Sequence, residues 1–191
     1  MILELYYKLR HPGAPIPPAY KRSILGEVWH VIRKFICQNI ALNCVTNFMR
    51  VNLYRLCGFK IGGGTFIGMK CYFDDVCPEN MVIEDHVGIL YGVYFSCHGR
   101  KQGHHKIVIR RDAHIGFRSA IHARHDLEIG ERAMIGAMSF VNKSIPADTT
   151  AVGHPAKVIK EIGYPIESTV YGRRLMKEKL ELDTKVEDKT K

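Results

Sequence analysis

Long apolar runs are missing from this chain. Charged residues make up 25% of its 191 positions and interrupt an apolar content of 46%, which excludes a membrane span, a collagen-like repeat and the low-hydrophobicity make-up of a disordered chain. One globular domain with a short appendage is the expectation at this length. Closely spaced cysteine pairs are also missing. Cys37, Cys44, Cys57, Cys71, Cys77 and Cys97 show no CxxC spacing, and the opening segment through Tyr7 is too short for a secretory leader and has no small-residue cleavage site. Reduced, mostly buried thiols in a cytoplasmic protein are therefore expected. Acid is scarce, with 19 Asp and Glu against 28 Lys and Arg, leaving a formal charge of +9. Such an excess attracts phosphates, nucleic acids or acidic lipid surfaces. Much of it lies at Lys106, Arg110, Arg111, Arg118, Arg124, Arg132, Lys143, Lys157 and Lys160, within the body of the chain rather than in a tail. That distribution suits a phosphorylated ligand, with a solvated basic face as the alternative, and no nucleic-acid partner is expected.

The segment HPGAPIPPAY, residues 11–20, carries four prolines and reads as an extended arm. Beyond it Ser23 is placed to cap a helix whose apolar residues Leu25, Val28, Val31, Ile32, Phe35 and Ile36 recur at helical spacing. A second helical stretch runs from Ala41 to Leu56. These helices also carry Lys21, Arg22, Arg33, Lys34, Arg50 and Arg55, so contact with a membrane surface is weighed against packing on the chain's own core. Core packing is the expectation, because a helix's apolar face usually serves its own domain.

From residue 61 the period changes. Large apolar residues recur at every sixth position in four groups: Ile61, Ile67, Phe73; Ile83, Ile89, Phe95; Ile109, Ile115, Ile121; Ile129, Ile135, Val141. Four positions after most of them stands a small or β-branched residue, such as Thr65, Cys71, Cys77, Ala113, Ser119, Ala133 or Ser139. A hexad is one short strand and one turn, with the large residue pointing inward and the small one filling the corner. Three hexads close one triangular coil, and stacked coils pair their backbones with the coils above and below. The period-two alternation of a β-sandwich is absent. Breaks in the period fall at residues 74–81, at SCHGRKQGHHK after Phe95, and at HARHDLE after Ile121; insertions into a solenoid become loops on a rigid frame.

The stretch from Ile107 to Glu161, and above all its closing IGAMSFVNKSIPADTTAVGHPAKVIK, resembles the hexapeptide-repeat acyltransferases, in particular their galactoside, maltose and polysaccharide O-acetyltransferase branch. The resemblance implies a mainly β fold: a left-handed parallel β-helix over residues 61–162, preceded by an arm and helices over 1–60 and followed by a charged, helical tail over 163–191. It also implies a homotrimer, with acetyl-CoA in the groove between neighbouring coils and direct transfer to a small hydroxyl or amine acceptor.

Within that resemblance His98, in the inserted loop, takes the position of the general base, with His104 and His105 in the same loop as competitors near the acceptor. A neutral imidazole titrating near neutrality suits the removal of a hydroxyl proton. Asp74 and Asp75 match a position that binds the acceptor or orients the base. Ser119 and Ala137 match coil positions along the pantetheine arm, and Lys143, Lys157 and Lys160 match basic residues near the nucleotide phosphates. Departures are His114 for an aromatic, Arg110 for a Gly, and Met138 in GAMS. Cys97 beside His98 is read as an inert neighbour and no metal is expected. Two alternatives remain: a zinc-dependent carbonic anhydrase of the same repeat, drawing on His98, His114, His122 and His125, and a non-catalytic scaffold.

Overall fold

The computed structural model describes residues 2–14, 16, 23–98 and 103–161. The chain opens with α1 (Ile2–Arg10), an element the sequence reading did not anticipate, carrying an i,i+4 ion pair between Glu4 and Lys8. Helix α2 (Ile24–Phe35) starts where Ser23 accepts the Gly26 N–H at 3.0 Å, the expected cap. It runs on through a widened turn at Ile36–Ile40 and a tight turn at Ala41–Asn43. The second helix, α3 (Asn47–Leu56), begins later than expected because Thr46 caps it.

A parallel solenoid follows. Its first coil contains β1 (Lys60–Ile61) and β2 (Phe66–Ile67). The second has β3 (Met81–Ile83), β4 (Gly88–Ile89) and β5 (Tyr94–Ser96). The third has β6 (Ile107–Ile109), β7 (His114–Ile115) and β8 (Ala120–His122). The fourth has β9 (Leu127–Ile129), β10 (Met134–Ile135) and β11 (Phe140–Val141). Strands β12 (Thr149–Gly153) and β13 (Ala156–Glu161) close the stack as a hairpin. Each strand pairs with its counterpart one coil away, giving three faces in the orders β1-β3-β6-β9, β13-β12-β10-β7-β4-β2 and β11-β8-β5.

The hexad residues stack on their own counterparts: Ile61, Ile83, Ile109 and Ile129 on one face, Ile67, Ile89, Ile115 and Ile135 on the next, Phe95, Ile121 and Val141 on the third. Ile145 bridges Ile129 and so extends the first column by one hexad beyond the four groups apparent in the sequence. Burial of these columns supplies the driving force, and the first coil is plugged by Tyr54, Phe59 and Phe73 in mutual aromatic contact.

Two corners of each coil place the third residue after the hexad aliphatic in the left-handed region, as at His86, Asp112, Arg118, Arg132 and Met138. The third corner, after Phe73, Phe95 and Ile121, is where the insertions leave. Glycine is required where coils touch: a Cβ on Gly116 would lie 2.4 Å from the Ala137 nitrogen.

The expected packing of the α2 apolar face onto the core is not what forms. Leu25, Val28, Val31, Ile32 and Phe35 are all more than 40% exposed. The helix instead turns a polar stripe of Glu27, His30 and Arg33 inward, because Arg33 donates to the Asp75 carbonyl at 2.8 Å. Three of the basic residues of the lead-in, Arg33, Arg50 and Arg55, are clamps onto backbone carbonyls. Arg50 is buried and donates to the Ile67 carbonyl at 2.7 Å and to the Cys44 carbonyl, while Arg55 holds the Ile61 and Gly62 carbonyls at 3.0 and 2.8 Å. Lys21, Arg22, most of the proline-rich arm and the tail from 163 onward lie outside the described residues.

Candidate active site

The site sits on the third face, where β5 ends and the inserted loop begins. Pairing of β5 with β8 sets Ser96 beside His122, and the chain then leaves the coil at Cys97 and His98. The base of the loop is closed by an antiparallel bridge between His98 and His104 and by the His105 N–H donating to the Cys97 carbonyl at 2.7 Å. The turn between them, residues 99–102, is outside the described residues. His98 is thus held on a short two-stranded stem rather than on a free loop.

Its ring is held as well. Nδ1 of His98 lies 2.5 Å from Oδ2 of Asp74, a carboxylate with no solvent exposure, while the imidazole itself is nearly half exposed. With the carboxylate accepting, Nδ1 carries the hydrogen and the lone pair is left on Nε2, the atom facing away from Asp74. Asp74 is itself fixed by the Cys97 N–H at 2.8 Å on Oδ2 and the Val76 N–H at 3.2 Å on Oδ1. Two backbone donors satisfy the buried carboxylate oxygens. The result is an imidazole with its tautomer set and its acceptor nitrogen outward, an arrangement suited to removing a proton from a hydroxyl.

Asp75 does not join it. Its side chain turns the other way, accepting from Gln38 Nε2 at 3.1 Å, and its carbonyl takes Arg33. Adjacent in sequence, the two aspartates serve opposite sides of the strand: one the loop, the other the helices. His104 is exposed, and the His105 ring lies 5.9 Å from that of His125. Burial, reinforced by Arg124, His98 and His105, pushes His122 below the ordinary imidazole value. From it an aromatic ladder continues along the same face to Phe140 at 6.4 Å and on to His154 at 4.8 Å. The sequence reading did not assign Phe140 or His154 to the site; only stacking of the coils puts them in line with His122.

Cys97 is fully buried, and a hydrogen bond to Cys77 together with burial holds its thiol far above the usual range, so it offers no nucleophile. All six cysteines are free. Ser119 lies inside the stack, its hydroxyl donating to the Gly136 carbonyl at 2.9 Å, its N–H bonded to the Gly116 carbonyl and its own carbonyl taken by Tyr94. Ala137 is on the exposed rim of the fourth coil. Lys143 follows β11, and Lys157 and Lys160 project from β13 opposite Val152 and Thr150, all three exposed. They stand at the β12–β13 end of the solenoid. The four histidines considered as zinc ligands are split: His114 is on the second face with its ring against Gly88, and among the described residues no three histidines bring their nitrogens together.

No family model matches the chain. It is 30% identical to the serine acetyltransferase of Staphylococcus epidermidis over 159 residues, 79% of this chain and 72% of that protein. It is 38% identical to the serine acetyltransferase of Salmonella typhimurium over 104 residues, 54% of this chain and 37% of that one. The chain spans about a third of the length of several such curated relatives, from 33% to 37%. Among solved structures it is similar to a hexapeptide-repeat acetyltransferase of Vibrio cholerae complexed with acetyl-coenzyme A, at a TM-score of 0.62 and 24% identity over 84% of this chain and 99% of that one. A galactoside acetyltransferase in complex with coenzyme A superposes at a TM-score of 0.56 with 23% identity, covering 76% and 86%. At these identities the structural likeness is one of fold.

Proposed function

Because the chain belongs to the hexapeptide-repeat acyltransferases, we propose that it transfers an acetyl group from acetyl-CoA to a hydroxyl of a sugar or polysaccharide precursor, with His98 as general base. The observation that carries the reading is the His98 to Asp74 pair, a half-exposed imidazole on a buried carboxylate at the mouth of the third face. In the reaction Nε2 of His98 takes the acceptor's proton as its oxygen attacks the thioester carbonyl. The tetrahedral intermediate collapses with expulsion of the CoA thiolate, which regains the proton. Asp74 holds the imidazolium in place between those two events.

Coenzyme A brings a pyrophosphate and a 3′-phosphate. Lys143, Lys157 and Lys160 would meet them at the far end of the stack, with Ala137 beside the pantetheine arm, and this accounts for the basic excess. The protein would act as a homotrimer. In favour stands an apolar groove of about 740 Å³ on the second face, lined by Val45, Phe66, Met69, Leu90, Tyr91 and Phe117, of the kind a neighbouring coil fills. The exposed α2 face leaves peripheral contact with a lipid surface in the reading as well. A second acceptor, serine, is favoured by the curated relatives, which are named serine acetyltransferases.

Three measurements test this. Acetyl-CoA raises the melting temperature of the protein in proportion to the logarithm of its concentration. Release of free thiol from acetyl-CoA, followed across a panel of sugars, amino sugars and serine, identifies the acceptor. His98→Ala lowers turnover by about 10²–10⁴-fold with an unchanged melting temperature. A variant that keeps full turnover rejects His98 as the base.

A further inference from the structure

Behind the dyad, against Asp74, lie two thiols that acyl transfer does not use. Cys77, from the first insertion, and Cys97, just past the end of β5, are both fully buried. Their sulfurs and a carboxylate oxygen of Asp74 lie within 4.8 Å of one another, the one such ligand group among the described residues. His98 and two backbone N–H groups account for the carboxylate, but not for the two thiols gathered against it, since an apolar side chain would fill that corner without bringing ligand atoms to a buried carboxylate. Elsewhere in the stack the corner cysteine Cys71 meets backbone alone, its thiol donating to the Leu90 carbonyl at 3.0 Å. The chemistry of two thiols and one carboxylate is that of a borderline-soft divalent cation. Tetrahedral zinc with bonds of about 2.3 Å to sulfur and 2.0 Å to oxygen sets its ligand atoms roughly 3.5–3.8 Å apart. Closing the trio to that spacing takes movements of about an ångström.

We infer that Asp74, Cys77 and Cys97 form a binding site for a thiophilic divalent cation of the zinc class, and that filling it switches off His98. Binding exchanges one divalent cation for the two thiol protons, which leave for solvent, so the net charge of the pocket is unchanged and no oxidant or reductant is involved. Hard cations such as magnesium or calcium do not fit, because they need oxygen ligands throughout. The consequence for the reaction follows from geometry. Oδ2 of Asp74 is the atom that holds Nδ1 of His98, and a carboxylate drawn onto a cation on its buried side gives up that hydrogen bond or shares the ion with the ring. In either case the ring is no longer held in the tautomer that leaves a lone pair on Nε2. The effect on turnover rests on the acyl-transfer reading above; the binding itself does not.

The test uses the full chain, reduced and stripped of metal, at one fixed pH. Cadmium is titrated in while the thiolate-to-cadmium charge-transfer absorbance is followed, and zinc is measured by competition with a chromophoric chelator. One equivalent binds to the wild type and to Cys57→Ala, a variant at a buried thiol outside the trio, and the absorbance is lost in Cys77→Ala and in Cys97→Ala. The two latter variants each remove one ligand, so a folding defect in one leaves the other to decide. In parallel, zinc lowers wild-type turnover by about tenfold or more over the same concentration range. Cys77→Ala keeps its basal turnover and ignores zinc. Absence of the charge-transfer band, or a band of equal size in Cys77→Ala, overturns the site. Binding without loss of turnover overturns its link to His98. A metal-free protein that transfers no acyl group sinks the acyl-transfer reading instead, while the cadmium titration, which needs no turnover, still decides the site.

Discussion

At His98 the deciding atom is Nδ1. Its bond to Asp74 selects the tautomer, and that buried carboxylate is fixed in place by the Cys97 and Val76 N–H groups. Asp74→Asn preserves the size and one acceptor oxygen but presents an amide that can donate to Nδ1, which favours the opposite tautomer. It should therefore lose a large part of the ~10²–10⁴-fold contribution expected of the base, seen as a fall in kcat with KM for acetyl-CoA little changed. Asp75→Asn, whose side chain faces Gln38 and not the loop, is expected to leave kcat near wild type and to act on stability. That contrast separates two neighbours whose names alone assign them the same role.

Among elements, the first face carries an ionic ladder on its solvent side. Arg110 on the third coil donates to Glu84 below at 2.8 Å and to Glu128 above at 2.9 Å, and Arg132 grips Asp148 at 2.6 and 2.7 Å. Arg110 holds Glu128, and Arg132 holds Asp148, below the usual carboxylate range. A carboxyl whose pKa is lower in the folded chain adds stability above its unfolded value and loses it as pH falls through the folded one. The melting temperature should be flat through neutrality and drop below about pH 4, where unfolded Asp and Glu titrate. Arg110→Met should lie slightly below wild type at pH 7 and converge with it in acid, and salt should narrow the gap at neutrality, because exposed pairs contribute little and are screened. Asp112, raised by burial, has the opposite sign and softens the acid limb. A gap that widens in acid would contradict the assignment.

For the whole molecule, stability is distributed along columns. Ile67, Ile89, Ile115 and Ile135 form one, with Ile115 fully buried between coils on both sides. Ile115→Ala should cost about 2–5 kcal/mol in denaturant unfolding, because a stack of flat strands cannot collapse into the void without breaking its pairing with both neighbours. Ile159, on the exposed edge strand β13, is the control: it is 63% exposed and its truncation should change stability by a few tenths of a kcal/mol at most. The exposed apolar residues on α2 and on the second face contribute nothing to this core, which is why they belong to the argument about partners.

The hexad columns, the turn at every corner and the loop bearing His98 could be read from the residues alone. A period of six repeats the same environment at the same height in every coil, so local pattern and global packing coincide. Where the period breaks, that coincidence ends. The insertions after Phe73 and Phe95 have no counterpart above or below, and only the folded chain decides that Asp74 meets His98 while Asp75 meets Gln38, and that Cys77 lies against Cys97. The same holds for α2, whose helical spacing was evident while its inward face was not. Amphipathic pattern alone would turn its apolar stripe inward, but the hydrogen bond from Arg33 to the Asp75 carbonyl in the first insertion drew its polar stripe there instead. Sequence determined the stack because the stack is a sum of local repeats. Tertiary structure determined the site because its members lie in separate insertions, brought together by the pairing of coils.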